Sequence, residues 1–258
     1  AHAAPEEIQK WCRALSNDLL SVKYDKCIAH DWKIEGRSVK GDIIPHATWG
    51  NPSGKRVLIL GSIHGDELSS VSLAFRWFDF LDVVRKESFL RQMNFMIAPL
   101  VNPDGYFIRP RTRQNANGVD VNRNFETKEW ETIAPVYWRG KAKSEPRRFP
   151  GKKAGSEPET KLVQKWIAEF KPDLIISVHA PYGLIDYDGE LQFPNEKTIL
   201  PVKKLGAFPG SLGQYAGVER NIPVITVELM TAKRLPDQTA IGNLFVFLLK
   251  AKAKNYSE

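Results

Sequence analysis

Val57-Leu-Ile-Leu-Gly61, running at once into Ser62-Ile-His64-Gly-Asp-Glu67, is the stretch that decides the fold. A short apolar run bounded by turn residues reads as a strand buried on both faces, the usual state of a strand in a parallel sheet. Two further runs repeat the pattern: Leu174-Ile-Ile-Ser-Val178 empties into His179, and Pro223-Val-Ile-Thr-Val227 empties into Glu228. Helical stretches lie between them. The expectation is therefore an α/β single domain with a mixed, mostly parallel twisted sheet flanked by helices. In such sheets ligands bind beyond the carboxyl ends of the strands. Three strand ends then deliver two imidazoles and two carboxylates to one rim.

Zinc favours histidine nitrogen and carboxylate oxygen, and a catalytic site keeps three protein ligands and one open position. His64 and Glu67, three residues apart at a strand-to-helix turn, can face one ion, and His179 supplies a third ligand from another strand. The expected cofactor is one zinc ion per chain, with Glu228 as general base for an activated water. Each signal is weak alone. A lone histidine is more often a hydrogen-bonded structural residue, and His2, His30 and His46 are assigned that role.

A chain of 258 residues can bury a large core. Its 42% hydrophobic and 26% charged residues place it among ordinary globular proteins. No apolar run approaches the roughly 18 residues that span a bilayer. The net charge of +7 points to an anionic partner. No nucleic-acid motif is present, and the basic residues are scattered apart from Arg109, Arg111, Arg113 and Arg123 and the Lys141–Lys153 segment. An acidic small substrate or an anionic cell wall suits this balance, and nucleic acid is not expected. Cys12 and Cys27 suit one disulfide in an exported protein and two buried thiols equally well. Ala1-His-Ala-Ala4 resembles the small-residue end left by a signal peptidase. The expected location is periplasmic or secreted, with a trimmed cytoplasmic chain as the alternative. The oligomeric state stays open.

No repeat, low-complexity tract or linker divides the chain, so residues 1–258 are expected as one unit. Residues 1–50 would contribute an N-terminal helix and strands, and 51–258 the catalytic core. Ile8, Trp11, Leu15 and Leu19 mark an amphipathic helix over 6–20, and residues 31–48 read as two strands turned near Gly36–Gly41. Leu68, Val71, Phe75, Phe78 and Leu81 mark a helix over 67–85. Phe95–Leu100 reads as a strand ended by the turn Asn102-Pro-Asp-Gly105. Residues 105–155 read as a long functional loop. Ser156-Glu-Pro-Glu159 reads as a capping box opening a helix to about Phe170. A second irregular segment covers 181–210, and Asp237 is expected to cap a final helix with Ile241, Leu244, Phe245 and Leu248 inward.

The polar loop carries Asn102-Pro-Asp-Gly-Tyr106, then Arg113-Gln-Asn-Ala-Asn-Gly-Val-Asp120-Val-Asn122-Arg123-Asn124-Phe125. With the H-x-x-E, strand-His and strand-Glu elements in order from about residue 56 to residue 230, the chain resembles the M14 zinc carboxypeptidases. The resemblance implies zinc ligands His64, Glu67 and His179, with Glu228 as the catalytic carboxylate. It implies that Asp120 accepts a hydrogen bond from a ligating histidine, which fixes the tautomer and raises ligand basicity. Asn122 and Arg123 match the pair that grips the substrate's free carboxylate, a task suited to a planar guanidinium fork. Arg113 matches the arginine that stabilises the oxyanion, with Arg111 as fallback.

The chain departs from digestive-type members in having no tyrosine upstream of Gly210-Ser211. Tyr215 lies beyond that pair, at the expected start of a helix, and no acid follows Ser211 to select a basic side chain. The segments 177–186 and 205–219 are similar to the bacterial murein peptide amidase branch. That likeness implies a peptidoglycan-derived peptide, cut at its γ-D-glutamyl–diaminopimelate bond. Ser211 would then be among the substrate contacts, and Asp186 or Asp188 would be placed to pair with the diaminopimelate ammonium. The alternatives are a general metallocarboxypeptidase, an N-acyl-amino-acid deacylase, or an inactive wall-binding module. The full set of ligands and catalytic acid speaks against the last.

Overall fold

The computed structural model describes residues 4–253, so His2 and the first three residues of the expected export signature lie outside the described part. The chain opens with helices α1 (Glu6–Asp18) and α2 (Tyr24–Ala29), then antiparallel strands β1 (Lys33–Arg37) and β2 (Ile43–Gly50). Strand β3 (Lys55–Gly61) and helix α3 (Leu68–Asp82) follow, then β4 (Met93–Ala98) and the short helix α4 (Pro103–Phe107). Helices α5 (Trp130–Gly140) and α6 (Pro158–Phe170) precede β5 (Leu174–His179), β6 (Leu184–Asp188) and β7 (Leu191–Gln192). After a π-helical turn over Gly213–Val218 come β8 (Val224–Glu228), α7 (Gln238–Leu249) and β9 (Lys252–Ala253).

Seven strands form one sheet in the order β1-β2-β4-β3-β5-β8-β6. The four central strands are mutually parallel, as their uninterrupted apolar runs require. Antiparallel joints lie towards both edges, β1–β2–β4 on one side and β8–β6 on the other. The sheet is therefore mixed, with its parallel part confined to the centre. Alternate residues of β3 enter opposite cores. Val57 and Ile59 pack with α1, α3 and α7, while Leu58 and Leu60 pack with α6 and the π-helical turn.

A disulfide joins Cys12 of α1 to Cys27 of α2, with Cα atoms 5.7 Å apart. Closing this short loop contributes on the order of 3 kcal/mol in the chain-entropy view.

Three local expectations change. Residues 105–155 are not structureless, because α5 lies inside them. Only Trp130 and Ala134 of α5 are buried and Pro135 interrupts it, so no apolar stripe announces the helix. The Ser156 capping box does not form: α6 starts at Pro158, whose fixed φ suits the first helical position. The Ser156 hydroxyl instead donates to Glu157. Segment 181–210 contains β6, hidden because its inward positions include Asp186 and Asp188 rather than apolar residues alone. Asp237 does cap the last helix, accepting from the Ala240 N–H at 2.9 Å.

Candidate active site

The parallel register sets the site before any side chain is considered. Gly61 pairs with Val178, and His179 pairs with Glu228, so the ends of β3, β5 and β8 are level. The chain must turn sharply from β3 into α3, and Ser62 there adopts φ +46°, a left-handed conformation that needs outside support. Its N–H donates to Ser70 Oγ at 2.9 Å and its hydroxyl to the His64 carbonyl at 2.9 Å. Gly65 lies against the Asn102–Gly105 turn so closely that a Cβ would stand 2.1 Å from the Gly105 carbonyl carbon. Asn102 clamps the two turns. Its amide donates to the Ile63 and Arg113 carbonyls while its oxygen accepts from the Gly105 N–H. The Asn-Pro-Asp-Gly motif thus fixes both the ligand turn and the start of the arginine-bearing loop.

His64, Glu67 and His179 are buried and converge. His64 Nδ1 lies 2.9 Å from Glu67 Oε1, His179 Nδ1 lies 3.0 Å from Glu67 Oε2, and the two Nδ1 atoms are 3.1 Å apart. The far nitrogens are engaged elsewhere: His64 Nε2 with Asp120 Oδ1 at 3.0 Å and His179 Nε2 with Ser177 Oγ at 2.9 Å. With Nε2 protonated in each ring, both Nδ1 lone pairs point at one spot beside a carboxylate. Facing lone pairs at that distance call for a cation between them. A tetrahedral zinc ion with bonds of about 2.0–2.1 Å would space its ligand atoms about 3.3 Å apart, close to what is found. The donor set fits zinc, and among the described residues no other such trio of His, Cys, Asp or Glu occurs.

Asp120 is fully buried and accepts three bonds, from His64 Nε2, from the Asn122 N–H at 3.0 Å and from Arg113 Nε at 2.8 Å. Burial alone would raise its pKa, but Arg113 and His64 hold the carboxyl well below the usual range. Arg111, the fallback for Arg113, is excluded. It pairs with Asp18 and stacks on Tyr106, outside the cavity.

A cavity of about 620 Å³ opens over the metal trio. Its lining includes Glu228, Arg113, Asn122, Arg123, Asp186 and Ser211, so every site residue read from the sequence except the buried Asp120 borders it. Asn122 Oδ1 accepts from the Leu212 N–H at 2.9 Å, which leaves its NH₂ group for a ligand. Arg123 lies over the Phe208 ring at 4.7 Å and donates to the Asn122 carbonyl, and it makes no ion pair with any described carboxylate. Ser211 Oγ accepts from the Phe208 and Gln214 N–H groups, so its first duty is to hold the loop. Burial raises the Glu228 pKa, and His179 opposes that rise.

The acidic end of the cavity belongs to β6. Asp186 and Asp188 are buried, share one face of the strand and have no cationic partner among the described residues. Burial raises both, and Asp186 adds its charge to push Asp188 up to about 6. A Cβ on Gly213 would lie 1.8 Å from Asp188 Oδ2, so only glycine lets the π-helical turn pass over that carboxylate. Several lining residues carry no signal in the sequence, among them Tyr182, 64% exposed beyond the end of β5, and the charged side chains of Asp66, Arg147 and Arg148. Nothing in their local sequence distinguishes them from surface residues.

The zinc carboxypeptidase family model matches residues 32–206. Murein peptide amidase A of Escherichia coli K12 is 34% identical over 181 residues, 66% of this chain and 69% of that protein. Its namesake from Vibrio campbellii is 29% identical, covering 75% of this chain and 77% of that protein. The crystal structure of a murein-tripeptide amidase from Escherichia coli O157 superposes with a TM-score of 0.58 at 27% identity, over 83% of this chain and 90% of the other. The order of the ligands, the convergence of His64, Glu67 and His179 and this extended match lead to one assignment: the chain belongs to the zinc carboxypeptidase family, peptidase M14.

Proposed function

We propose that this protein hydrolyses the γ-D-glutamyl–diaminopimelate amide of peptidoglycan stem peptides, releasing the C-terminal diaminopimelate. The observation that carries the reading is the division of charge in the cavity. Among the described residues Arg123 forms no direct ion pair at one place, and Asp186 with Asp188 form none at another, although Asp120 and Lys204 lie near enough to moderate their charges. Leaving groups of either sign unpaired in a half-buried site is costly unless the ligand completes them. Diaminopimelate offers a terminal carboxylate together with a side-chain ammonium. The named activity of the Escherichia coli and Vibrio relatives supports the same substrate class.

Held by His64, Glu67 and His179, zinc supplies the Lewis acidity that polarises a carbonyl and lowers the pKa of water. The remaining work belongs to side chains of this chain. Arg123 and the free NH₂ of Asn122 take the terminal carboxylate and set the substrate's register. Arg113 is fixed through its Nε on Asp120 and keeps its terminal NH₂ groups for the carbonyl oxygen as charge develops there. Glu228, one strand position across from His179, takes a proton from the attacking water. As the C–N bond breaks it returns that proton to the leaving amine, giving a free carboxylate and free diaminopimelate. Asp120 keeps His64 in the tautomer that presents Nδ1.

A periplasmic or secreted location belongs to the same proposal, and the Cys12–Cys27 disulfide supports an oxidising compartment. The test is incubation with murein tripeptide, intact sacculi and a panel of L-peptides and N-acyl amino acids, with products read by mass spectrometry. Release of diaminopimelate from the tripeptide is expected. Turnover of L-peptides with none of the tripeptide would replace the proposal with a general carboxypeptidase.

A further inference from the structure

Asp66 sits between the two ligands His64 and Glu67, yet the chemistry above does not use it. Its Oδ2 accepts from Arg147 Nη2 at 2.5 Å, while its Oδ1 is buried with no hydrogen-bond partner among the described residues. Arg147 lies on the short turn Pro146–Arg148 across the cavity, with 57% of its side chain exposed. Its neighbour Arg148 goes another way. It pairs with Glu145 at 3.0 Å and stands close enough to Arg123 to disfavour that residue's charge. Two adjacent cavity-lining guanidiniums therefore take different partners, Arg148 its neighbour Glu145 and Arg147 the turn that bears the metal ligands.

We infer that Arg147 binds a free carboxylate on the acyl side of the scissile bond, and that Asp66 holds the guanidinium in position for it. The inference rests on the proposed function and narrows it. The leaving residue ends at Arg123 and the reacting carbonyl lies at the ligand turn, so a group tied to that turn from the far wall faces the acyl portion. In a γ-D-glutamyl amide the reacting carbonyl comes from the side chain, and the α-carboxylate remains free a few bonds away. An ordinary α-peptide has a neutral amide there. Arg147 has five N–H donors and only one is bonded to Asp66, so the fork can take a carboxylate while the ion pair persists. The site would thus select γ-linked substrates by a charge that L-peptides lack.

The test compares wild type with Arg147→Gln on two substrates, L-Ala-γ-D-Glu-diaminopimelate and its analogue carrying a carboxamide in place of the D-Glu α-carboxylate. Arg147 is exposed, so the variant is expected to fold and to bind zinc normally, which metal analysis checks. Wild type should prefer the carboxylate substrate by about ten-fold or more in kcat/KM. Arg147→Gln should lose that preference through a higher KM for the carboxylate substrate, with the carboxamide turned over as before. Equal losses on both substrates, or no change on either, would overturn the role of Arg147 and leave the proposed function standing. A wild type that cuts L-peptides and neither of these substrates would overturn both.

Discussion

Asp120→Asn is the sharpest test of how the metal site is built. In the native carboxylate one oxygen serves His64 Nε2 and the Asn122 N–H, and the other serves Arg113 Nε. An asparagine has one acceptor oxygen and a donor NH₂ group. Its better orientation keeps the two bonds at the first oxygen and turns the NH₂ towards Arg113, donor against donor. The opposite orientation sets that NH₂ against His64 and the Asn122 N–H and loses two bonds. Either way a charge-assisted bond worth roughly 1.5–3 kcal/mol disappears. Arg113, freed from Asp120, has Glu67 Oε1 only 3.8 Å from its Nη1 and would draw on the oxygen the metal needs.

The consequence falls on zinc. His64 keeps at best a neutral partner, so its Nδ1 becomes less basic, and Arg113 competes for Glu67. A loss of about 10–100-fold in zinc affinity is expected, which is about 1.4–2.7 kcal/mol. The assay is competition against a chromophoric chelator at fixed pH, with circular dichroism confirming that both proteins are folded. Turnover measured under saturating zinc then separates lost metal from a misplaced Arg113. Zinc affinity within two-fold of wild type in a folded variant would refute the reasoning, because His64 would then need no anionic partner.

Glu228→Gln should retain zinc and substrate binding while losing about three orders of magnitude or more in kcat, read by isothermal titration and steady-state kinetics. Asp188, raised to about 6, must be ionised to hold an ammonium. KM for murein tripeptide should therefore rise as pH falls through about 6, and Asp188→Asn should flatten that profile. Glu159 is fully buried and raised to about 7 by that burial, even though Asn115 and the Val39 N–H donate to it. The folded state then binds more protons than the unfolded state between about pH 4.5 and 7, so stability falls as pH rises through that window. The shift corresponds to roughly 3 kcal/mol at most. Glu159→Gln should make thermal stability less dependent on pH there, and an unchanged dependence would show that Glu159 is ionised throughout.

What was legible in the sequence is what local physics dictates. The three apolar runs read as buried parallel strands, and strand ends in such a sheet converge, so the sequence alone brings His64, Glu67, His179 and Glu228 together. Asp120 and Arg123 came from a motif whose fixed spacing reflects one short turn, in which Asp120 caps the Asn122 N–H. The rest was hidden because it runs against local signals. Strand β6 breaks apolar alternation by turning two carboxylates inward. Helix α5 carries a proline and buries little. Arg147 reaches Asp66 across 81 positions of chain, a separation that no local pattern encodes.

Two of those hidden parts, β6 and Arg147, are the ones to which the proposed function assigns substrate choice. In the proposed chemistry the metal trio and Glu228 act on the amide itself, and they sit at the ends of central parallel strands that pack into two cores. Discrimination must come from groups whose positions can vary without cost to that core. β6 is an edge strand joined only to β8 within the sheet, and the Pro146–Arg148 turn lies on the surface. Gly213 and Gly217 let the π-helical turn close over Asp188, and the first of them lies directly against the carboxylate. Placing a methyl group there with Gly213→Ala would force Asp188 aside while leaving the metal ligands untouched. A rise in KM for a diaminopimelate-terminated substrate, with zinc binding unchanged, is therefore the expected mark of a specificity wall built apart from the catalytic one. A fall in zinc affinity would instead mean that the two walls move together.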